Sequence, residues 1–421
     1  MHVKTLILGA GLTGLSTAYH LERQGQTDYL LLEQAAAPGG LCASRTVRGF
    51  TLDCGGHLLH LHTPYGKKLV RTLLKGNLLR RTRRAFIYTG TSRVPFPFQA
   101  HLYALPEKAR QACVQGLLEA ARQTPKTPKT FKQWCLQSFG RGVYEQFMRP
   151  YNTKLWGCPP EALTCDWCGP FVPRPTQPEI LHSAQRPPRQ SYGYNASFYY
   201  PRQGGCGALA EAMASGVTRL QTRTRVTRVD LKTKTVRAGG KTFSYDTLVN
   251  TLPLSAFLRL LTGEERLTAL AEPLHNRPVL VYHLAINRAV KPFSWIYFPD
   301  ETDPFYRVGL QSGFSPANAP KGTSLFYIEL PPNAPKSKRR IWNALVQKGI
   351  IRKDDGALLS CWQPLPYAYA VYDKHRSRAV CQALGALAKR GCFCAGRYGK
   401  WEYSFMESSL LEGKALAEKL V

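Results

Sequence analysis

The sequence VKTLILGAGLTGLSTAYHLERQGQTDYLLLE, residues 3–33, decides the fold. Its apolar run at 4–8 predicts a buried strand, and residues 15–21 have helical spacing. A second apolar strand, 26–32, follows and ends on Glu33. The stretch therefore predicts a strand–helix–strand unit that opens an α/β fold.

A glycine-rich turn with the spacing G-x-G-x-x-G joins the first strand to the helix. The first glycine allows a tight turn, the second lets backbone approach a pyrophosphate, and the third lets helix and strand pack closely. The helix N-terminus offers unpaired N–H groups to phosphate oxygens, and an acid about 20 residues further on accepts ribose hydroxyls. On this motif alone, NAD and FAD are equally good candidates. The predicted dinucleotide site consists of Gly9, Gly11, Leu12, Thr13, Gly14 and Glu33.

Three more glycine-containing segments are predicted to complete this site. They contain Gly39-Gly40, Gly55-Gly56-His57 and, near the C-terminus, a strand that runs into Gly396. Backbone without side chains can lie flat against a planar ligand. His57 is therefore expected to face the cofactor, and an ordinary surface position is the alternative. Together these segments favour FAD over NAD.

Periodicity and turn residues predict the remaining elements. Residues 64–150 are expected to be mostly helical with a β interruption near 86–98, and a helix from Gly140 is expected to stop at Pro150. Residues 170–201 contain 7 prolines and no clear period, which predicts a long irregular connection. The other predicted strands are 218–220, 225–230, 235–237, 247–251, 278–286, 294–298, 306–312 and 323–330, and the other helices are 130–134 onward, 208–214, 336–348 and 406–420.

The length of 421 residues is enough for two or three lobes. No run approaches 18 apolar residues, so we expect no transmembrane helix. Because the nucleotide-binding strand begins at the N-terminus, a cleaved signal peptide would remove the first element of the fold. We therefore expect a cytoplasmic protein.

The charge is strongly basic, with 57 Lys+Arg against 27 Asp+Glu and a net charge of +30. Basic clusters at 80–84 and 336–340 would gather anionic partners such as nucleotide sugars or anionic lipid head groups. The clusters lack interleaved aromatic residues and no module that reads nucleic acid is present, so we expect no nucleic-acid partner. A solvated basic surface is the simplest interpretation, and peripheral contact with an anionic membrane stays open.

The 12 cysteines are scattered. Cys165 and Cys168 have C-x-x-C spacing, but no second pair follows at zinc-finger distance. We therefore expect no metal site, and reduced structural cysteines rather than a redox pair.

Several motifs are spread over nearly the whole chain: GGL (39–41), GGH (55–57), PFPFQ (95–99), FMRPYNTKLW (147–156), FYYPRQGGCG (198–207), WIYFP (295–299), FYR (305–307) and GRYGKWEY (396–403). Together they resemble one family, UDP-galactopyranose mutase, within the FAD-dependent amine-oxidase-like flavoproteins. The likeness is greatest to the fungal and protozoan branch. The segment 147–156 matches the motif of that branch almost residue for residue and is the most specific.

The resemblance implies a fold with a Rossmann-like FAD-binding domain, a mainly helical lobe and an interleaved mixed β-sheet substrate lobe. The FAD-binding domain would comprise 1–63, 202–277 and 390–421, the helical lobe 64–168, and the substrate lobe 169–201 with 278–389.

The resemblance also implies a reaction without net redox change. In this family reduced FAD attacks the anomeric carbon of a nucleotide sugar through its N5 and expels UDP. The sugar ring then recloses in the other size and UDP returns, most simply interconverting UDP-galactopyranose and UDP-galactofuranose. NAD(P)H stays open as the reductant, although no second dinucleotide motif is present.

Residue roles come with the resemblance. The catalytic set is His57 and Arg397 near the flavin, with Arg307, Tyr369 and Tyr403 on the diphosphate. The implied substrate-binding residues are Gln99, Phe147, Asn152, Trp156, Arg174, Asn195 and Tyr297, together with Arg307, Tyr369 and Tyr403. The additional implied FAD contacts are Leu41, Ser44, Val226, Arg397 and Met406. For Phe147, a place in the core is an equally good interpretation.

The sequence departs from the family at the phosphates. The family carries a second phosphate-binding arginine shortly after a W-x-G motif, and Phe171 stands there in this chain. Arg174, three residues later, is the candidate replacement. Ala370 and Tyr372 also stand where the family has prolines, which makes the match around Tyr369 poorer.

Three functions follow from these observations. The preferred one is a flavin-dependent sugar-nucleotide mutase. The second is an FAD oxidase or desaturase of the amine-oxidase type that transfers hydride, which a mainly apolar pocket would favour. The third is a non-catalytic flavoprotein that uses its basic surface on a membrane or a glycan-assembly complex.

Overall fold

The computed structural model describes residues 1–90, 92–124, 126–188 and 190–421, without the side chain of Pro170. The strands, numbered in chain order, are β1 (His2–Leu8), β2 (Tyr29–Leu32), β3 (Ser44–Val47), β4 (Phe50–Asp53), β5 (Leu79–Thr82), β6 (Ala85–Tyr88), β7 (Arg93–Pro95), β8 (Ser197–Tyr200), β9 (Leu220–Gln221), β10 (Val226–Asp230), β11 (Thr235–Ala238), β12 (Lys241–Asn250), β13 (Asn276–Ile286), β14 (Trp295–Tyr297), β15 (Arg307–Leu310), β16 (Ser324–Leu330), β17 (Ala357–Ala370) and β18 (Cys392–Cys394). The α-helices are α1 (Leu12–Arg23), α2 (Pro64–Leu74), α3 (Glu107–Ala121), α4 (Phe131–Val143), α5 (Arg149–Trp156), α6 (Cys168–Phe171), α7 (Gln177–Ser183), α8 (Gly207–Ala214), α9 (Leu254–Leu258), α10 (Glu265–Ala269), α11 (Lys338–Gln347), α12 (Arg376–Ala388), α13 (Gly396–Gly399) and α14 (Met406–Leu420).

The opening strand β1 lies inside a sheet with the order β10-β11-β12-β1-β2-β9, and β18 also pairs with β12. β1 is parallel to β2 and to β12, which explains its continuous apolar sequence, because parallel strands are buried on both faces. Helix α14 packs against α1 where Gly413 meets Ser16, and a Cβ on Gly413 would lie 2.5 Å from the Ser16 Cβ. This sheet with its helices is the predicted Rossmann-like unit.

A second sheet has the order β17-β13-β16-β15-β14-β6-β7 and is mixed. Its strands pair antiparallel except for β6 and β14, which are parallel. All seven residues of β16 are buried, so this sheet supplies a core of its own. The two sheets and their helices give a mixed α/β fold, as the sequence predicted.

Strand β17 was not predicted. Pro364 and Pro366 make its sequence look like a loop, yet it pairs with β13 along most of its 14 residues. β17 is the terminal strand of the sheet, and proline is tolerated at an edge because no further strand needs its missing N–H.

Two predictions for the middle of the chain were wrong. The helix expected to stop at Pro150 instead continues through a π-helical turn, Tyr144–Met148, and Pro150 lies in the first turn of α5. Proline is accepted there because the N–H of a first-turn residue has no helical partner. The connection at 170–201 is also less irregular than expected. It contains α7, which begins with a capping box of Thr176 and Glu179, and β8.

The division into domains remains a prediction, and β6 and β7 join the second sheet although they belong to the segment expected to be mainly helical. Among the described residues, none of the helices combines the length and apolar character that a membrane crossing requires.

The buried histidine His283 on β13 should make the fold less stable in acid. It is 0% exposed, its Nε2 lies 2.9 Å from the Gln363 Oε1, and burial lowers its pKa to about 4. The unfolded chain, with a histidine pKa near 6.5, then binds the extra proton between about pH 6.5 and 4. The free energy of unfolding should therefore fall as pH drops through that window, by up to about 1.4 kcal/mol per pH unit for this group.

Urea denaturation at pH 7, 6 and 5 checks this. In a His283→Gln variant, the slope of the unfolding free energy against pH should be smaller by up to about 1.4 kcal/mol per pH unit, the contribution of one bound proton. A slope equal to that of the unsubstituted protein would show that His283 does not couple folding to protonation.

Candidate active site

A cavity of about 590 Å³ lies between the two sheets, within the size range of small-molecule sites. One wall consists of loops at the carboxyl ends of β1, β2, β12 and β18, where parallel sheets bind ligands. The other wall comes from β13 to β17. The structure brings to this cavity the predicted residues Gly9, Gly11, Leu12, Thr13, Glu33, Gly39, Gly40, Leu41, Gly56, His57, Gln99, Phe147, Asn152, Trp156, Asn195, Tyr297, Arg307, Tyr369, Gly396, Arg397, Tyr403 and Met406.

Five predicted residues do not line it: Gly14, Ser44, Gly55, Val226 and Arg174. Gly14 lies behind the turn, where an added Cβ would be 2.0 Å from the Gly9 carbonyl oxygen. Ser44 donates to the buried Asp53 carboxylate at 2.6 Å, and Val226 is buried in β10. Arg174 is exposed, with its guanidinium 5.9 Å from the centre of the Trp134 ring. In this structure its side chain does not line the cavity, and its role as a replacement for the family's arginine stays a prediction.

Around the glycine-rich turn the cavity wall is backbone, with free space in front of it. An added Cβ on Gly11, the residue before α1, would have no neighbour within 4 Å. The Glu33 carboxylate accepts from the backbone N–H groups of Ala10 at 2.9 Å and Ala35 at 2.8 Å, which fixes its position. Helix N–H groups, free space and a held carboxylate fit the pyrophosphate and ribose of a dinucleotide.

His57 and Arg397 form the next part of the wall. Arg397 donates from Nη2 to the Ala368 carbonyl at 2.8 Å and from Nη1 to the Ser404 carbonyl at 3.3 Å. The Arg397 Nε and the His57 Nδ1 are buried and have no hydrogen-bond partner among the described residues. Burial, helped by Arg397 and Arg307, lowers the pKa of His57 to about 4, so its imidazole is neutral at pH 7. Unpartnered polar atoms beside the dinucleotide end fit the polar ring edge of a flavin.

Arg307, which is partly buried, and Glu329, which is buried, form an ion pair in the lining of the cavity. The Arg307 Nε and Nη2 donate to the Glu329 carboxylate at 2.9 and 2.6 Å, and Nη2 also lies 3.4 Å from the Tyr369 hydroxyl. Burial opposes the charged form of Arg307, but the Glu329 carboxylate raises its pKa well above the usual value. A fixed, permanently charged guanidinium is suited to an anionic group.

The part of the cavity around Phe147 is rich in aromatic rings. Phe147 stacks on Phe98 at 5.4 Å and on Tyr151 at 5.3 Å between ring centres, so it is both a core residue and a cavity residue. The Asn152 side chain donates to the Met148 carbonyl at 2.7 Å. The Gln99 Oε1 and the Trp156 Nε1 are buried without a partner among the described residues. An acceptor and a donor beside stacked rings could bind a planar base.

A cluster that we call the aromatic wall consists of Phe171, Tyr194, Tyr403 and Phe405. The Phe171 ring centre lies 4.2 Å from that of Tyr403 and 4.7 Å from that of Phe405. Tyr194 lies 4.7 Å from Phe405. Phe171, the residue that the sequence comparison placed at the family's arginine position, therefore packs among aromatic rings.

Arg83 was predicted to belong to a solvated basic cluster, and the structure corrects this. Its guanidinium lies 4.8 Å from the centre of the Phe96 ring and donates to the Tyr192 carbonyl at 3.0 Å. It also donates to the Asn195 side chain, which lines the cavity. Arg83 therefore positions a cavity residue.

Sequence reasoning also missed Glu329 and Tyr327. Glu329 is the single acid in the apolar strand β16, and that isolated charge was the available signal. Tyr327 packs between Gly56 and Gly309. Cβ atoms added to these glycines would lie 2.4 and 2.0 Å from the tyrosine side chain, so neither position has room for one. No local sequence pattern announces that contact.

Comparison with known proteins identifies the class. The family model of the flavin containing amine oxidoreductases matches residues 12–421, and the chain belongs to that family. Within this class, the structure is similar to a crystal structure of reduced UDP-galactopyranose mutase, with a TM-score of 0.93 and 26% sequence identity over 99% of this chain and 95% of that one. The resemblance seen in the sequence is thereby confirmed, and its fungal and protozoan branch stays a prediction.

More distant comparisons agree on the fold. A structure of putrescine oxidase bound to putrescine superposes on 100% of this chain and 99% of its own, with a TM-score of 0.64 and 14% sequence identity. A Baeyer-Villiger monooxygenase from Streptomyces coelicolor is 37% identical over 57 residues, 14% of this chain. The chain spans about a tenth of the length of that curated relative, as the match covers 11% of it.

Proposed function

We propose that the protein is a flavin-dependent mutase that interconverts the pyranose and furanose forms of a nucleotide sugar, with UDP-galactose as the first substrate to test. The observation that carries this is the partly buried Arg307 guanidinium, which lines the same cavity as the predicted dinucleotide-binding residues. Two of its nitrogens are held by Glu329, and the remaining one can donate to a phosphoryl oxygen of the substrate. The full-length similarity to a UDP-galactopyranose mutase supports the proposal.

FAD is the proposed cofactor, held by the α1 N-terminus, Glu33 and the glycine segments. When bound and reduced, it supplies through N5 the nucleophile that attacks the anomeric carbon. The Arg397 Nε and the neutral His57 would face its ring and fix its orientation and charge. NAD(P)H is a proposed source of the electrons that keep it reduced.

The remaining residues would bind the substrate. Arg307 would hold a phosphoryl group, with the Tyr369 and Tyr403 hydroxyls beside it, and would stabilise the leaving group. Asn195, positioned by Arg83, would contact the sugar. The proposed nucleotide pocket is formed by Gln99, Phe147, Asn152, Trp156 and Tyr297.

A second candidate is an FAD oxidase or desaturase that removes hydride from an apolar substrate. The aromatic wall favours it, because Phe171 and Phe405 line the cavity with apolar surface. Family membership is compatible with both reactions.

The test is anaerobic. The flavin-loaded protein is reduced with dithionite and incubated with UDP-galactofuranose, and the nucleotide sugars are separated by chromatography. We expect UDP-galactopyranose from the reduced protein and none from the oxidised protein. Absence of this product from reduced, flavin-loaded protein that binds the substrate would contradict the proposal.

A further inference from the structure

The cavity has little positive charge to offer a diphosphate. The charged residues among its described lining are Arg307, Arg397, Glu33 and Glu329, with no lysine, so their formal charges cancel. Arg83 lies behind this lining and is engaged by Asn195 and the Tyr192 carbonyl, and the rest of the surplus of +30 lies elsewhere on the chain. FAD itself brings two phosphates into this cavity. A second diphosphate would therefore enter a site that is already negative overall.

Arg307 has one guanidinium nitrogen left for a ligand. Its Nε and Nη2 are taken by Glu329, at 2.9 and 2.6 Å. Nη1 donates to no acceptor among the described residues. The pair of parallel N–H donors that could contact two phosphates is therefore already used by the Glu329 carboxylate. The remaining nitrogen, Nη1, can donate to one phosphoryl group.

The aromatic wall extends the cavity beyond Arg307. The Tyr369 ring stacks on that of Tyr403 at 5.8 Å between centres, and Tyr403 in turn touches Phe171 at 4.2 Å. Phe171 and Phe405 present no donor. A phosphate oxygen against these rings would lose its water without gaining a hydrogen bond, which is unfavourable.

We propose that the site recognises a single phosphoryl group of its nucleotide-sugar substrate, at Arg307, and leaves a second phosphate without a charged partner. The substrate class then includes sugars linked to a nucleoside through one phosphate as well as through two. Phe171 sets this specificity. The inference rests on the proposed function, since it assumes that a nucleotide sugar enters the cavity.

The experiment compares UMP and UDP as ligands of the flavin-loaded, reduced protein, titrated by the change in flavin absorbance. We expect the two dissociation constants to agree within about threefold. In a Phe171→Arg variant, a new charge-assisted contact should make UDP at least about tenfold tighter relative to UMP. Phe171→Leu, which removes the ring without adding charge, is the matched control and should leave the ratio unchanged. Flavin content and circular dichroism establish that both variants fold.

The outcomes separate the two proposals. UDP binding tenfold or more tighter than UMP in the unsubstituted protein, about 1.4 kcal/mol, would overturn single-phosphate recognition and leave the mutase proposal standing. An unchanged ratio in folded Phe171→Arg would overturn the role of Phe171. Binding of neither nucleotide would overturn the proposed function, and this inference with it.

Discussion

Replacing Arg307 with alanine should both destabilise the protein and weaken nucleotide binding. The Glu329 side chain is only 4% exposed, and its carboxylate would be left without its cation. Breaking a buried pair in this way costs about 3–5 kcal/mol of unfolding free energy. The lost contact to a phosphoryl group should weaken UDP binding by a further ten- to hundredfold or so, from about 1.5–3 kcal/mol. Urea denaturation and UDP titration measure the two effects.

Two further variants separate the causes. Arg307→Ala combined with Glu329→Gln removes the stranded charge, so it should recover much of the stability while UDP binding stays weak. Glu329→Gln alone keeps the guanidinium and frees it for a ligand, so it should bind UDP at least as well as the unsubstituted protein. Unchanged UDP affinity in Arg307→Ala would refute the assignment of a phosphate to this residue.

Alanine at Gly11 and at Gly14 should damage the protein in two different ways. A Cβ on Gly11 meets nothing within 4 Å, so the chain should fold but the methyl would occupy the cofactor's place. We expect FAD affinity to fall by about ten- to hundredfold, corresponding to a clash of about 1–3 kcal/mol. A Cβ on Gly14 would lie 2.0 Å from the Gly9 carbonyl oxygen, which is backbone and cannot rotate away. That variant should lose about 3 kcal/mol of stability even without cofactor.

Thermal unfolding of the flavin-free forms, together with flavin content after purification, distinguishes them. Gly25→Ala serves as a control remote from the cofactor, although its positive φ of 75° carries some strain. Full flavin content in Gly11→Ala would mean that the pyrophosphate does not pass over this residue.

The opening stretch could be predicted because its fold depends on local information. The apolar strand, the glycine spacing and Glu33 specify β1, α1 and β2 without reference to the rest of the chain. The helix predicted from 130–134 onward likewise matches α4. Where distant residues decide, the sequence was a poorer guide. β17 is a strand because β13 pairs with it, and its prolines gave the opposite signal.

The candidate site shows the same contrast between residues recognisable from local sequence and residues whose role depends on distant contacts. Motif positions such as His57, Arg307 and Arg397 could be placed from sequence because each lies in a recognisable segment. Glu329 could not, because its importance comes from facing Arg307 across paired strands. Arg174 shows the opposite case, since its proximity in sequence to Phe171 does not bring its side chain to the cavity. The Arg174 guanidinium lies instead over the Trp134 ring.

The most direct test of the account follows the flavin while the sugar reacts. Under anaerobic conditions, UDP-galactose is added to the reduced protein and the flavin absorbance is recorded together with the nucleotide-sugar products. A mutase should convert many sugar molecules per flavin while the flavin stays reduced, and the oxidised protein should neither react nor be bleached by the substrate. Bleaching of the oxidised flavin by substrate, with one oxidised product formed per flavin, would instead demonstrate hydride transfer and contradict the central claim.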